Sequence, residues 1–184
     1  MQWAKQRRLM VAAYSVVSFP DRRTLADLGD QGPFPGGTKI GALRNVGYQA
    51  ALYNIATMRR AGLQTPMVWI DVEPVVHFDW SPDLQANSAV VEGVARGYQD
   101  GGYRIGFYSI ASLWSRVVGG LRTGAPEWRP AGERGLEEAL SRCGSDWSFQ
   151  GGPGILGQWI EDGRDRDVTC PGAIDDRALW FHQY

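Results

Sequence analysis

Short apolar runs recur along the chain and predict a series of strands. A nearly continuous run at residues 9–19 predicts a strand that is buried on both faces. Shorter runs predict further strands at 67–72, 103–109 and 155–160. The first run ends at Pro20.

Helical spacing of apolar residues separates these strands. It covers residues 45–61 and 84–99, and the glycines that follow, Gly62 and Gly101, are typical of helix ends. Strands that alternate with helices predict parallel βαβ units, so the predicted fold class is α/β. The remaining segments predict a loop at 21–40, short helices at 112–118 and 135–142, and a strand or turn at 125–130.

Two carboxylates stand at the end of the predicted strand 67–72. Asp71 and Glu73 are two residues apart, so in a strand they face the same way with Cα atoms about 6.6 Å apart. Paired acids in glycosidases stand roughly 5 to 9.5 Å apart, so this spacing permits acid and base roles. The competing interpretation is structural, in which Asp71 caps the next loop and Glu73 pairs with an arginine.

Trp69 precedes the acidic pair on the same face of the predicted strand. An apolar wall at this position would raise the pKa of one of the two carboxyl groups. Glu73, at the strand end, is the predicted proton donor. Ligand sites of parallel α/β folds lie at the carboxyl ends of the strands, which is where this pair falls.

Candidate ligand-binding side chains follow the ends of later strands. Aromatic rings stack on sugars, although each ring taken singly is more often a core residue, and only the shared position at strand ends favours a site. The charged segment 161–167 predicts a solvated loop. Asp167 is the exception and belongs to this group, because the residues after it predict a return to the sheet. The predicted substrate-binding residues are Trp69, Tyr108, Ser109, Trp114, Gln158, Trp159 and Asp167.

Composition disfavours several partners and sites. With 43% hydrophobic residues and a net charge of −1, the chain has no field that would attract nucleic acid. Its apolar runs fall short of the roughly 20 residues that a membrane-spanning helix needs. No phosphate loop or Gly-x-Ser-x-Gly sequence is present, and no cofactor is predicted. A metal held by His77 and Asp71 is disfavoured because the chain has two histidines in all.

The chain has two cysteines, Cys143 and Cys170, and both lie in loop-like sequence. Neither belongs to a C-x-x-C pair of the kind that binds zinc. A disulfide between them and two free thiols are equally open interpretations. A disulfide would indicate that the protein works outside the cytoplasm.

Four segments, taken in order, resemble the second half of the lysozyme-like glycoside hydrolases of family twenty-five: WIDVEP at 69–74, GFYS at 106–109, GQW at 157–159 and DV at 167–168. The resemblance implies a β/α barrel of the TIM type and a polysaccharide or peptidoglycan-like substrate. It implies that Asp71 and Glu73 are the D-x-E motif after the fourth strand, with Glu73 as the general acid. Asp167 would be the acidic residue near the last strand.

Segments 34–38, 68–74 and 167–171 carry a narrower resemblance, to uncharacterised actinobacterial proteins that are expected to be secreted. The full-length protein is accordingly expected to be secreted or cell-wall associated, although this chain shows no signal peptide.

The family's first strand carries another aspartate, in a G-[IV]-D-x-S motif that does not precede residues 9–19. We therefore expect one barrel domain over 1–184 that is incomplete at the N-terminus and lacks the first one or two βα units. Either the chain begins at an internal methionine of a longer protein, or the site has decayed.

The leading hypothesis is a glycoside hydrolase that acts on a cell-wall or other polysaccharide. Glu73 would donate a proton to the leaving oxygen, and Asp71 would stabilise the developing oxocarbenium charge. The alternative is a catalytically inactive carbohydrate-binding barrel that keeps the aromatic rings. A structural wall-associated domain is the third possibility.

Overall fold

The computed structural model describes residues 1–76 and 79–184. Seven α-helices are present in this part of the chain: α1 Gln2–Gln6, α2 Arg22–Leu28, α3 Lys39–Ala61, α4 Leu84–Asp100, α5 Ala111–Val118, α6 Gly135–Ser141 and α7 Arg177–Trp180. The strands are β1 Met10–Val11, β2 Ala13–Val16, β3 Met67–Asp71, β4 Arg104–Tyr108, β5 Glu127–Pro130, β6 Gly154–Glu161, β7 Arg164–Thr169 and β8 His182–Gln183.

A six-stranded sheet in the order β2-β3-β4-β5-β6-β7 forms the centre of the fold. Strands β2 to β6 run parallel, which confirms the predicted βαβ units, and β7 returns antiparallel to β6. The short strands β1 and β8 pair with each other in a separate sheet. In the part of the chain that the structure describes, β2 and β7 do not pair, so the sheet is a portion of a barrel and not a closed one.

The sheet curls strongly towards one face. The rings of Tyr14 on β2 and Trp128 on β5 have centroids 5.7 Å apart, although two strands lie between them. In a flat sheet, three strand spacings would separate the two positions by about 14 Å. The concave face is therefore a half-barrel bowl in which side chains from distant strands converge.

Apolar clusters hold the sheet on both faces. On the convex face Val68, Ile70 and Phe107 pack against α3, α4 and α5. On the concave face Met67 and Trp69 cluster with Trp180 from the C-terminal helix. Because Met67 begins β3, this inner cluster lies towards the N-terminal ends of the strands. The C-terminal ends are left for the polar side chains.

Helices α3 and α4 are packed together on the convex face and carry clear start and stop signals. Thr38 and Asp83 cap their N-termini by accepting hydrogen bonds from first-turn backbone N–H groups. Gly62 ends α3 in the left-handed conformation, with φ at 66°. The predicted helices 45–61 and 84–99 are thus confirmed, although α3 begins six residues earlier, at Lys39.

Three predictions for the connecting segments are wrong in detail. The run 9–19 is divided into β1 and β2, and β2 is buried on one face only, since Tyr14 is 47% exposed. The predicted loop 21–40 contains α2, whose seven residues are too few to show helical periodicity. The charged segment after β6 joins the sheet as β7, because an edge strand keeps charged side chains in water.

Candidate active site

Asp71 and Glu73 lie at the C-terminal end of β3. Asp71 is the last residue of the strand, is 1% exposed and pairs in register with Val16 and Tyr108. Its Oδ2 accepts a hydrogen bond of 2.5 Å from the hydroxyl of Tyr14. Its Oδ1 is buried and has no hydrogen-bond partner among the residues described.

Burial raises the pKa of both carboxyl groups. Burial raises the pKa of Asp71 to about 7; the hydrogen bond from Tyr14 opposes this rise, and the charge of Glu73 adds to it. Glu73 is half-buried, and burial raises its pKa as well. A pair of this kind can hold one proton near neutral pH, which is the charge state that acid/base catalysis needs.

The structural interpretation of the pair is not supported by contacts. Within residues 1–76 and 79–184, no ion pair includes Asp71 or Glu73. The partner of Asp71 is a tyrosine hydroxyl and not a loop backbone, so the residue does not act as a cap.

A third carboxylate reaches the bowl from β7. Asp167 accepts hydrogen bonds from Trp128 Nε1 at 3.1 Å and from Gln158 Nε2 at 3.4 Å, and burial raises its pKa. Tyr108 in turn donates to Gln158 Oε1 at 2.7 Å. Burial raises the pKa of Tyr108, and nearby negative charges raise it further, those of Glu73, Asp71, Asp165 and Asp167. The acidic groups of β3 and β7 therefore face one bowl.

Aromatic rings line the centre of the bowl. Tyr14, Tyr108 and Trp128 make mutual edge-to-face contacts, with centroids 5.0 to 5.7 Å apart. Trp128 also meets Trp69 at 5.8 Å. A cavity of about 350 Å³ lies against Tyr14, Trp69 and Trp128 and is bounded further by Leu156, Asp167, Thr169 and Phe181; Asp71 and Glu73 are not part of its lining. Apolar walls with a few fixed polar groups are typical of small-ligand sites.

Three of the predicted substrate-binding residues lie elsewhere. Ser109 follows Tyr108 and so faces the other side of the sheet, where its hydroxyl donates to the carbonyl oxygen of Val72 at 2.8 Å. Trp114 is 1% exposed and packs in the convex core against Phe107. Trp159 follows Gln158 and points away from the bowl by the same alternation. Strand alternation and helix packing, not distance along the chain, separate these side chains from the acids.

Two residues of the bowl are absent from the predicted set, Tyr14 and Trp128. The sequence did not single out Tyr14, because the run 9–19 predicts a strand buried on both faces. In such a strand a residue of the site cannot be distinguished from the core residues beside it. Trp128 lies in a four-residue strand, too short for a clear pattern. The signal for both was an aromatic residue within a short strand of the sheet.

The two cysteines form a disulfide, with Cα atoms 5.4 Å apart. Cys143 follows α6, and Cys170 directly follows the last residue of β7. The bond therefore ties the end of β7, and with it the strand that carries Asp167, to the helical layer.

No helix in the described ranges is long and apolar enough to cross a membrane. In the same ranges, no three side chains of His, Cys, Asp or Glu come together as a metal ion would require. The candidate metal ligand His77 lies outside the described residues.

Comparison with known proteins points to lysozymes. Residues 42–129, which include Asp71, Glu73, Tyr108 and Trp128, match the family model described as Lysozyme-like protein 1. This part of the chain is therefore similar to that family. Over 64 residues, 34% of this chain, it is 44% identical to "Probable GH family 25 lysozyme 4" of Dictyostelium discoideum. The match spans 29% of that relative's length, and no solved structure matches the chain. The narrower resemblance to actinobacterial proteins stays a prediction.

Proposed function

We propose that the chain is a glycoside hydrolase that cleaves a bacterial cell-wall polysaccharide by carboxylate acid/base catalysis. The observation that carries the proposal is the pair Asp71 and Glu73, two acids with raised pKa values at the end of β3. The pair lies beside an aromatic bowl and inside the segment that is similar to the lysozyme-like family. Raised carboxyl pKa values in a concave site are typical of catalytic acids.

The two acids have different proposed roles. Glu73, half-buried at the mouth, protonates the glycosidic oxygen as the leaving group departs. Asp71, in its charged form, stabilises the oxocarbenium charge that develops on the sugar. Buried carboxylates act strongly on such a charge because little water screens them.

The substrate-binding surface is proposed to be the aromatic bowl. Trp128 offers an apolar wall for a sugar ring, and the buried rings of Trp69 and Tyr108 pack against it and hold it in place. Asp167 and Gln158 offer hydrogen-bonding groups that neighbouring side chains already hold in place. Ser109, Trp114 and Trp159 would support this surface from behind without touching the sugar. A polar group fixed by its neighbours loses little entropy when it binds a hydroxyl.

The disulfide and the similarity to a lysozyme favour a site of action outside the cell. We accordingly propose that the protein is secreted or cell-wall associated, where a disulfide persists and where its substrate is found. The substrate would be a peptidoglycan-like polysaccharide.

The test is hydrolysis of purified bacterial cell walls, followed as loss of turbidity together with the release of new reducing ends. The unaltered protein should clear the walls, and Glu73→Gln should lower the rate by at least about 100-fold. The matched control is Glu137→Gln, the same change on the exposed surface of α6, which should leave the rate unchanged.

Binding of the walls separates the hydrolase from the inactive alternative. Co-sedimentation of Glu73→Gln with insoluble cell walls should persist under both hypotheses. Release of reducing ends by the unaltered protein supports the hydrolase. Binding without release, by a protein with a folded far-ultraviolet spectrum, would favour the carbohydrate-binding barrel, and absence of both would contradict each of them.

A further inference from the structure

Tyr14 occupies the strand next to the acidic pair. It lies on β2 in register with Trp69, and its ring extends along the sheet so that the hydroxyl meets Asp71, two residues further on. The distance from the hydroxyl to Oδ2 is 2.5 Å, which is at the short end for a bond between a hydroxyl and a carboxylate. Sequence separation does not favour this contact, since the two residues are 57 positions apart.

The ring of Tyr14 is held in place by its neighbours. It makes edge-to-face contacts with Tyr108 and with Trp128, each at 5.7 Å between centroids. The hydroxyl is therefore a donor whose direction is fixed before any ligand binds. Such preorganised donors act on a buried charge without the cost of reorienting.

The groups around Asp71 make the Tyr14 hydroxyl important for its protonation state. The titratable groups that act on Asp71 are Tyr14 from β2 and Glu73 beyond the end of its own strand. Tyr108 from β4 lies beside Asp71 in register, and Asp167 from β7 acts on the same Tyr108. None of these groups is a cation. Burial and the charge of Glu73 both favour protonation of Asp71, and among the described residues the Tyr14 hydroxyl favours the ionised form.

We propose that Tyr14 is a positioning residue whose hydrogen bond favours the ionised form of Asp71 and thereby shifts the proton that the two acids share towards Glu73. The catalytic meaning of this arrangement rests on the proposed function, because Glu73 must carry a proton to act as a general acid. The distribution of the proton between Asp71 and Glu73 does not depend on activity, and it is measurable by itself.

The first test is a carbon-13 NMR titration of the side-chain carboxyl groups in the whole protein and in Tyr14→Phe. Assignments come from Asp71→Asn and Glu73→Gln. In Tyr14→Phe the titration midpoint of Asp71 should rise by about one pH unit. One hydrogen bond to a charged group changes the acid dissociation constant by about tenfold, which corresponds to this shift. The midpoint of Glu73 should fall, because Asp71 then retains the proton and no longer repels the charge of Glu73.

The matched control is Tyr53→Phe, which removes the same hydroxyl from an exposed tyrosine on α3. Both midpoints should stay unchanged in this variant. Midpoints in Tyr14→Phe that equal those of the unaltered protein would overturn the proposal. A parallel rise of both midpoints would overturn it as well, because it would indicate a general loss of solvation.

The second test is the pH profile of cell-wall hydrolysis. Tyr14→Phe should lower kcat about tenfold at neutral pH with KM nearly unchanged, and the acid limb of the profile should move to higher pH. A rise in KM with an unmoved profile would show a merely structural role and overturn the proposal. If the unaltered protein releases no reducing ends while the NMR midpoints move as expected, the proposed function fails and the assignment of the proton stands.

Discussion

At the scale of single residues, a second buried charge lies outside the bowl, at Glu127 on β5. It is fully buried, pairs with Arg129 at 2.7 Å and accepts hydrogen bonds from the backbone of Phe149, Gln150 and Gly152. Arg129 donates to the carbonyl oxygens of residues 142, 144 and 152. The ion pair therefore fixes the segment that leads from α6 into β6.

Replacing Glu127 by alanine should lower the free energy of unfolding by about 3–5 kcal/mol, because Arg129 would stay buried without a counter-charge. Urea denaturation followed by circular dichroism measures the change. Glu133→Ala, at an exposed loop position, should change it by less than about 0.5 kcal/mol. Similar losses in both variants would contradict the role of the buried pair.

Asp71 makes stability depend on pH. Burial raises its pKa to about 7, so between about pH 4 and pH 7 the folded chain binds more protons than the unfolded chain. The free energy of unfolding should therefore fall as the pH rises through this window, by up to about 1.4 kcal/mol per pH unit from this group. The stabilising contribution is present at low pH and is lost as the carboxyl group ionises.

Asp71→Asn keeps the shape of the protonated acid and removes its titration. Urea denaturation should show a flatter pH dependence than in the unaltered protein, and at pH 8 a free energy of unfolding that is higher by about 1–3 kcal/mol. Asp175→Asn, an exposed position, serves as the control and should leave the pH dependence intact. A curve for Asp71→Asn that coincides with the control would show that Asp71 is not perturbed by folding.

At the scale of elements, glycines set how closely α3 and α4 approach. A Cβ atom added to Gly93 on α4 would stand 2.0 Å from the carbonyl oxygen of Arg44 on α3, and one added to Gly47 would stand 2.2 Å from the carbonyl oxygen of Val90. Both clashes involve backbone atoms, which cannot rotate away. Helices that pack at such glycines must move apart to accept any side chain.

Gly93→Ala should therefore lower the free energy of unfolding by about 1–3 kcal/mol, although alanine is the better helix former by about 1 kcal/mol. Thermal unfolding reports this as a fall in Tm. Gly120→Ala is the control, since its added Cβ would have no described heavy atom within 4 Å. An unchanged Tm in Gly93→Ala would mean that the two helices separate at little cost.

At the scale of the whole molecule, one covalent bond joins the helical layer to the last strand of the sheet. The disulfide between Cys143 and Cys170 bridges 27 positions, and closing a loop of that length restricts the unfolded chain. Replacing both cysteines by alanine should lower the free energy of unfolding by about 3–4 kcal/mol. Urea denaturation with and without a thiol reductant measures it, and the reductant should change the unaltered protein but not the double variant.

The sequence by itself determined the class of the fold and the place of the acids. Apolar runs that alternate with segments of helical spacing were enough to predict parallel βαβ units. A strand of a parallel sheet is buried on both faces, and β3 accordingly shows a continuous apolar pattern in the sequence. Asp71 and Glu73 interrupt that pattern where the strand ends, so their position could be predicted from local signals alone. The resemblance to lysozymes added the expected barrel, of which the described residues form an open part.

Only the tertiary structure decided which side chains meet the acids. Tyr14 reaches Asp71 because β2 pairs with β3 and the sheet curls. Asp167 reaches Trp128 because the charged edge strand β7 pairs antiparallel with β6. Trp114 is excluded because its helix turns it into the convex core. Strand pairing and curvature depend on contacts between residues far apart in the chain, and the local pattern of apolar and polar positions does not encode those contacts.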